Sequence, residues 1–271
     1  LSLMMILGIA FSNVSLVKAN ETDQIQEIKN RLKTYFLELD TIDDGAKVDT
    51  CYVSKASDYL AVIQDDGSFN DVDYASTQSG ANGKAWDPYL ALDRLQAIAI
   101  AYNKAGNSLY QKQEAVDKLE LALTHWASVN PRSTNWWENQ VGVQLRFSRI
   151  ALFMEDVISD KSMNIMLTKL IEKTPVKYGT GQNNLWFDQN HVYYALLKKD
   201  SSKLHDMVNY YLNYCLVTQL DDNTVEAVQV DNSFYMHGRQ FYSNGYGLSM
   251  FRDMSFWIYM LRNTDFAPSD E

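Results

Sequence analysis

Apolar residues recur along this chain at helical spacing. Over residues 23–40, Ile25, Ile28, Leu32, Tyr35, Phe36 and Leu39 fall on one face with charges between them. Residues 86–104 repeat the pattern with Leu90, Leu92, Leu95, Ile98, Ala99 and Tyr102. Asp87-Pro88 is a start signal there, because an acidic N-cap is followed by a proline whose missing N–H is not needed in a first turn. Residues 111–129 turn Val116, Leu119, Leu123 and Trp126 inward and stop at Asn130-Pro131. The spacing predicts further helices over about 142–156, 160–173, 187–198, 202–219 and 248–262. Residues 41–85 lack the period and read as irregular, with 76–84 small, polar and exposed. Helix, short link, helix, repeated, is a series of αα-hairpins and an all-α fold. No βαβ alternation points to a nucleotide-binding sheet.

Composition sharpens this picture. Hydrophobic residues make up 46% of 271, enough to bury a sizeable core, and only four prolines and twelve glycines interrupt the helices. The net charge of −10 argues against nucleic acid as a partner, since a phosphate backbone needs a basic face. An acidic polysaccharide remains compatible, because a cleft can be locally basic; Arg146, Arg149, Arg239, Arg252 and Arg262 are available for that. Six tryptophans and seventeen tyrosines exceed what a core needs and suit stacking on rings, sugars included. Cys51 and Cys215 have no metal-ligand spacing, and either one long-range disulfide or two free thiols fits them.

The first residues read as an export signal. Residues 3–11 form an apolar run too short to span a bilayer, and Val17-Lys18-Ala19 has a small-residue cleavage pattern. Residues 1–19 are therefore expected to be a signal peptide, truncated at a start that is Leu1 rather than Met, and residues 20–271 the functional domain. The mature protein is expected outside the cytoplasm, secreted or periplasmic, as a monomer with no membrane attachment.

Three links are chemically rich: 133–142, 178–184 and 231–247. Asn135, Trp136 and Trp137 offer adjacent indoles and an amide, suited to sugar rings and their hydroxyls; alternatively the indoles plug a gap between helices. Asn183 and Asn184 follow Gly179 and Gly181; an amide there can hold a carboxylate, or simply cap the next helix. His237 and Tyr246 are two proton-handling side chains nine residues apart, in a stretch without Ala, Leu, Glu or Lys. A tyrosine base needs its phenol pKa of about 10 lowered by nearby positive charge, for which Arg239 and His237 are local candidates. The competing reading is a Tyr-rich tie between helices. His125 and His205 fall in helices and read as structural or exposed, and His191 is ambiguous. The sequence carries no metal-ligand cluster, phosphate loop or nucleophile elbow. Helical acids such as Glu138 and Asp188 leave a paired-carboxylate hydrolase as a competitor, with no spacing that singles out two of them.

Taken together, these links resemble the N-terminal catalytic domain of the polysaccharide lyase family that includes chondroitin AC lyase, hyaluronate lyase and xanthan lyase. Asn135-Trp136-Trp137 followed by Val141-Gly142 is similar to that family's aromatic patch. Thr180-Gly181-Gln182-Asn183 is similar to the motif carrying its catalytic asparagine, and His237-Gly238 with Tyr246-Gly247 to its histidine and tyrosine. The resemblance covers most of the chain from about Trp86 onward. It implies an incomplete α/α toroid whose cleft binds an acidic polysaccharide, and β-elimination next to a uronic acid. In that scheme Tyr246 takes the C5 proton, Asn183 and His237 stabilise the carboxylate, Asn135, Trp136, Trp137 and Arg239 bind substrate, and no metal or organic cofactor is required.

The chain departs from the family pattern in three places. Arg239 stands where the family usually has proline, and Glu138-Asn139-Gln140 is not its commonest version; both bear on specificity. The family's later toroid helices, with a catalytic arginine and glutamate, and its β-sandwich domains have no counterpart before Glu271. The resemblance therefore implies a C-terminally truncated lyase domain whose last helix exposes a face meant for the next. An inactive or purely glycan-binding α-helical module is the alternative.

Overall fold

The structure, a computed structural model, describes residues 19–42, 51–78, 85–172, 174, 181–215 and 226–268. The signal-peptide expectation over residues 1–19 falls almost wholly outside them, as does Cys215 beyond its backbone.

Among the described residues there are nine α-helices. α1 (Glu21–Leu37) starts at Asn20, whose side chain accepts from Asp23 N. α2 (Ala56–Ala61) is a short helix within the stretch read as irregular, and follows a two-residue antiparallel pair, β1 (Thr41–Ile42) with β2 (Cys51–Tyr52). α3 (Pro88–Asn103) carries the expected proline in its first turn. Asp87 occupies the cap position without capping: its carboxylate accepts instead from Asp73 N, 2.7 Å away. α4 (Gln113–Val129) ends on Asn130 in the left-handed conformation, with φ 51°, and Pro131 follows. α5 (Val143–Met154), α6 (Asp160–Ile171), α7 (Gly181–Lys198), α8 (Ser201–Cys215) and α9 (Tyr246–Leu261) complete the series. A hairpin, β3 (Tyr235–Met236) with β4 (Gln240–Phe241), precedes α9.

Successive helices form αα-hairpins. α3, α5, α7 and α9 pack in a row, each against the next, with α4, α6 and α8 behind them. α1 lies against all four members of the row. This is the open arc of an incomplete α/α toroid. The inner position of α3 explains its residues: from Ala91 to Ala101 only Arg94 reaches solvent appreciably, and the small side chains Ala91, Ala97, Ala99 and Ala101 let neighbours approach from several sides.

Two buried charges tie the arc together. Lys29 of α1 pairs with Glu155 at 2.8 Å. Arg146 of α5 pairs with Asp93 of α3 at 2.7 Å, and its guanidinium lies 3.6 Å from the centre of the Tyr89 ring. Arg146, 2% exposed, thus belongs to the core, and the cleft role considered for it does not hold. α9 has an open apolar face, with Leu248 and Phe251 62% and 49% exposed. Among the described residues no helix is long and apolar enough to cross a membrane.

Candidate active site

Each of the three chemically rich links runs into the first turn of an inner helix. Trp136 and Trp137 are already helical, and the chain continues through a single π-helical turn, Glu138–Gly142, into α5. Such turns are rare and concentrate at functional sites. Asn135 opens this helix: its side-chain oxygen accepts from Trp137 N at 3.0 Å, a capping contact. Arg146, anchored on Asp93, also donates to the Gly142 carbonyl at 3.1 Å, so the buried ion pair supports the turn from below.

Asn183 and Asn184 lie inside α7, whose start is six residues earlier than the hydrophobic pattern indicates, so neither is an N-cap. Asn184 donates to Asp188 at 3.0 Å, and both are buried. The Asn183 side-chain oxygen is buried without a hydrogen-bond partner. Gly181 makes this entry possible. Its φ is +51°, and a Cβ there would stand 2.8 Å from Met236 Sδ and 3.0 Å from the Glu226 carbonyl oxygen. The first turn of α7 is thereby pressed against the β3–β4 hairpin. Thr180 and Gly179 lie outside the described residues.

His237 sits at the tip of that hairpin, exposed, with φ 56°, and Gly238 follows with φ 77°. A non-glycine residue in the left-handed region is uncommon and must be held there by its surroundings. Gly238 N donates to Glu226 Oε1 at 2.8 Å, which fixes the tip. Arg239, also exposed, completes the turn. Tyr246, half-buried, is the first residue of α9.

The links converge through a row of aromatic rings. Trp137 meets Trp186 at 5.6 Å between centroids, Trp186 meets Tyr246 at 5.8 Å, and Tyr246 meets His237 at 5.2 Å. Tyr242 packs on both His237 and Tyr246, at 5.8 and 5.7 Å. Trp136 stands 42% exposed beside Phe187, at 5.8 Å. Next to the row, a cavity of about 620 Å³ opens between α1, α3, α5, α7 and α9, with Trp137, Trp186, Arg149, Gln189, Arg252 and Asp253 in its wall. Of the arginines considered for a basic cleft, Arg149 and Arg252 reach this cavity, while Arg262 stacks on Tyr259 at 3.8 Å.

The other candidates resolve as structural. His191 is buried, its Nε2 3.1 Å from the Thr174 carbonyl oxygen; His205 contacts Glu21 at 3.0 Å; His125 packs on the Tyr74 ring. Cys51 is buried and free, and burial, with Asp93 adding to it, pushes its thiol up to about 12. Among the described residues no group of three His, Cys, Asp or Glu could hold a metal ion.

Trp186 and Asp253 were not legible as site residues. Trp186 follows Asn183 by one helical turn, a relation visible only once α7 is known to begin at Gly181. Asp253 lies two turns after Tyr246 in α9. Burial holds its carboxyl above the ordinary carboxylate range, against the opposing pull of Arg252 and of its hydrogen bond from Gln182.

Residues 40–271 match the N-terminal alpha-helical domain of polysaccharide lyase family 8. Chondroitinase-AC of Pedobacter heparinus is 25% identical over 214 residues, covering 78% of this chain and 29% of that protein. Hyaluronate lyase HylB of Enterococcus faecalis is 25% identical over 181 residues, covering 57% of this chain and 18% of its own. The chain therefore spans less than a third of the curated relatives it matches. Among solved structures, a chondroitinase AC lyase superposes with TM-score 0.77 at 21% identity, over 91% of this chain and 34% of the other. A Paenibacillus xanthan lyase superposes with TM-score 0.70 at 18% identity, over 93% and 24%. At these identities the superpositions speak for the fold.

Proposed function

This chain belongs to polysaccharide lyase family 8, as its N-terminal alpha-helical domain, and on that premise we propose that it cleaves a uronate-containing polysaccharide by β-elimination. The observation that carries the reading is the ring row, which joins Tyr246 to His237 on one side and to Trp186 and Trp137 on the other.

The chemistry asks for little more than those groups. The C5 proton of a uronate is weakly acidic, and its removal builds negative charge on the adjacent carboxyl group. Asn183 and His237 hold that group and stabilise the enolate-like state, an electrostatic role for which preorganised donors are effective. Tyr246, as the phenolate, takes the C5 proton. The C4–O bond to the departing sugar then breaks, a C4–C5 double bond forms, and Tyr246 returns a proton to the leaving oxygen. Trp136 and Trp137 hold the sugar rings in register, and the exposed Arg239 meets the polymer's negative charge. Asn135 serves this patch by capping the helix that carries the two indoles. All these groups come from one chain, so a monomer suffices. The apolar run at residues 3–11 fits export to where such polymers occur.

A second reading, a glycan-binding module without turnover, is favoured by one observation: Trp136 is 42% exposed and offers a stacking face whether or not a proton moves. Incubation with chondroitin, hyaluronan and xanthan in turn, followed by ultraviolet absorbance, separates the two. Elimination creates a double bond conjugated to the carboxylate and a rising signal. Binding without absorbance on all three polymers supports the module, and saturated reducing ends without absorbance support a hydrolase.

A further inference from the structure

Asn183 and Tyr246 stand on different helices, α7 and α9, and their separation depends on what joins the two first turns. The residue before Asn183 is Gln182, fully buried, and its side-chain amide donates to Asp253 Oδ2 at 2.7 Å. Trp186, three residues after Asn183, lies in the same cavity wall as Asp253. Arg252 Nε donates to Oδ1 at 3.1 Å from the solvent side, its side chain 61% exposed against 13% for Asp253. One carboxylate on α9 thus holds the residue next to Asn183 and lies beside the tryptophan one turn further on.

Resting on the reading of Tyr246 and Asn183 above, we infer that Asp253 is a positioning residue of this site: it clasps Gln182, and with it the first turn of α7, so that the Asn183 amide and the Tyr246 ring are held at a fixed separation. The residue type fits the task. A carboxylate accepts on both oxygens and gives charge-assisted bonds roughly twice as strong as neutral ones. An asparagine would accept on one atom only and turn an N–H against one of the donors. Trp186, one turn after Gln182 on α7, passes the hold to the rings, because its own ring touches both Tyr246 and Trp137. A misplacement on the order of 1 Å in such a constellation can lower turnover about a hundredfold. The two-turn spacing from Tyr246 to Asp253 keeps both on the side of α9 that faces α7.

The test combines a spectroscopic and a kinetic reading of Asp253→Ala and Asp253→Asn in the full chain. Near-ultraviolet circular dichroism reports the coupled Trp137, Trp186 and Tyr246 rings. Asp253→Ala is expected to weaken this signal, with far-ultraviolet helicity retained. The same substitution in a Trp186→Phe background is expected to leave the residual spectrum unchanged. In turnover, Asp253→Ala is expected to lower kcat about tenfold to a hundredfold with KM within about threefold, and Asp253→Asn to fall between it and the parent. Identical near-ultraviolet spectra for parent and Asp253→Ala, or a difference that persists without Trp186, would overturn the clasp. So would an unchanged kcat. A parent chain that eliminates no polymer counts against the proposed lyase alone, and the spectra then decide the clasp. If Asp253→Ala does not fold, Asp253→Asn carries both readings.

Discussion

The rings of His237 and Tyr246 meet edge to face, 5.2 Å apart at an interplanar angle of 80°. They lie nine positions apart in the chain. The contact exists because the β3–β4 hairpin doubles back, with Tyr242 N donating to the Phe234 carbonyl at 2.8 Å, and a tight turn then delivers Tyr246 to the start of α9.

That turn closes only over a glycine. A Cβ at position 247 would lie 1.9 Å from the Tyr242 carbonyl oxygen, a backbone atom that cannot step aside. Gly247→Ala is expected to open the turn, separate Tyr246 from Tyr242, and cost about 1–3 kcal/mol or more, as overpacking does. Urea denaturation measures the loss, and a midpoint equal to the parent's would contradict the tight turn.

Removing one partner of the buried Asp93–Arg146 pair leaves the other charge uncompensated. Asp93→Ala is expected to cost about 3–5 kcal/mol by chemical denaturation. Because Arg146 also holds the Gly142 carbonyl, near-ultraviolet signals from Trp137 should change with it. Replacing both partners by apolar residues of similar volume is expected to recover much of the loss, since the pair's own desolvation cost disappears too.

The Cys51 thiol sets an alkaline limit. Its pKa is raised from 9.0 to about 12 in the folded state, chiefly by burial. The folded protein thus holds this proton more tightly than the unfolded chain. The stability this contributes is complete below pH 9 and is lost as pH rises toward 12. Tyr193, raised from 10.0 to about 12 by burial, acts in the same direction over a narrower window. In a Cys215→Ser background, Cys51 should react with a thiol reagent at neutral pH only as fast as the protein opens, and the melting temperature should fall above pH 9. Fast labelling of native protein, or a flat melting temperature through pH 10, would contradict the buried thiol.

How much of this was legible in the sequence varies by element. The helices α1, α4 and α6 follow the apolar period closely, because each sets an apolar face against polar solvent positions; α3 is legible instead from its apolar run and its proline start, being buried nearly all round. The start of α7 does not. Gln182, Asn184, Asp188 and Asn190 are polar yet buried, since this helix is inner and its first turns face the site, so the amphipathic signal fails where chemistry replaces core. Trp136 and Trp137 read as a link for the same reason. The three motifs were visible as residue types, but their meeting was not. It depends on Trp186, which belongs to none of them, and on the packing of α7 against α9. Arg146 shows the converse failure: a cation available for a cleft on paper is spent on Asp93 inside the core.

The most direct test of the central claim compares Tyr246→Phe with the parent chain on the same uronate polymer, following ultraviolet absorbance and, in parallel, glycan binding. The account predicts a rising absorbance for the parent, loss of turnover by about a thousandfold in the variant as befits removal of the proton-transferring group, and binding that changes little. Equal turnover in parent and variant would contradict the role given to Tyr246, and equal binding with no absorbance from either would assign the site to recognition alone.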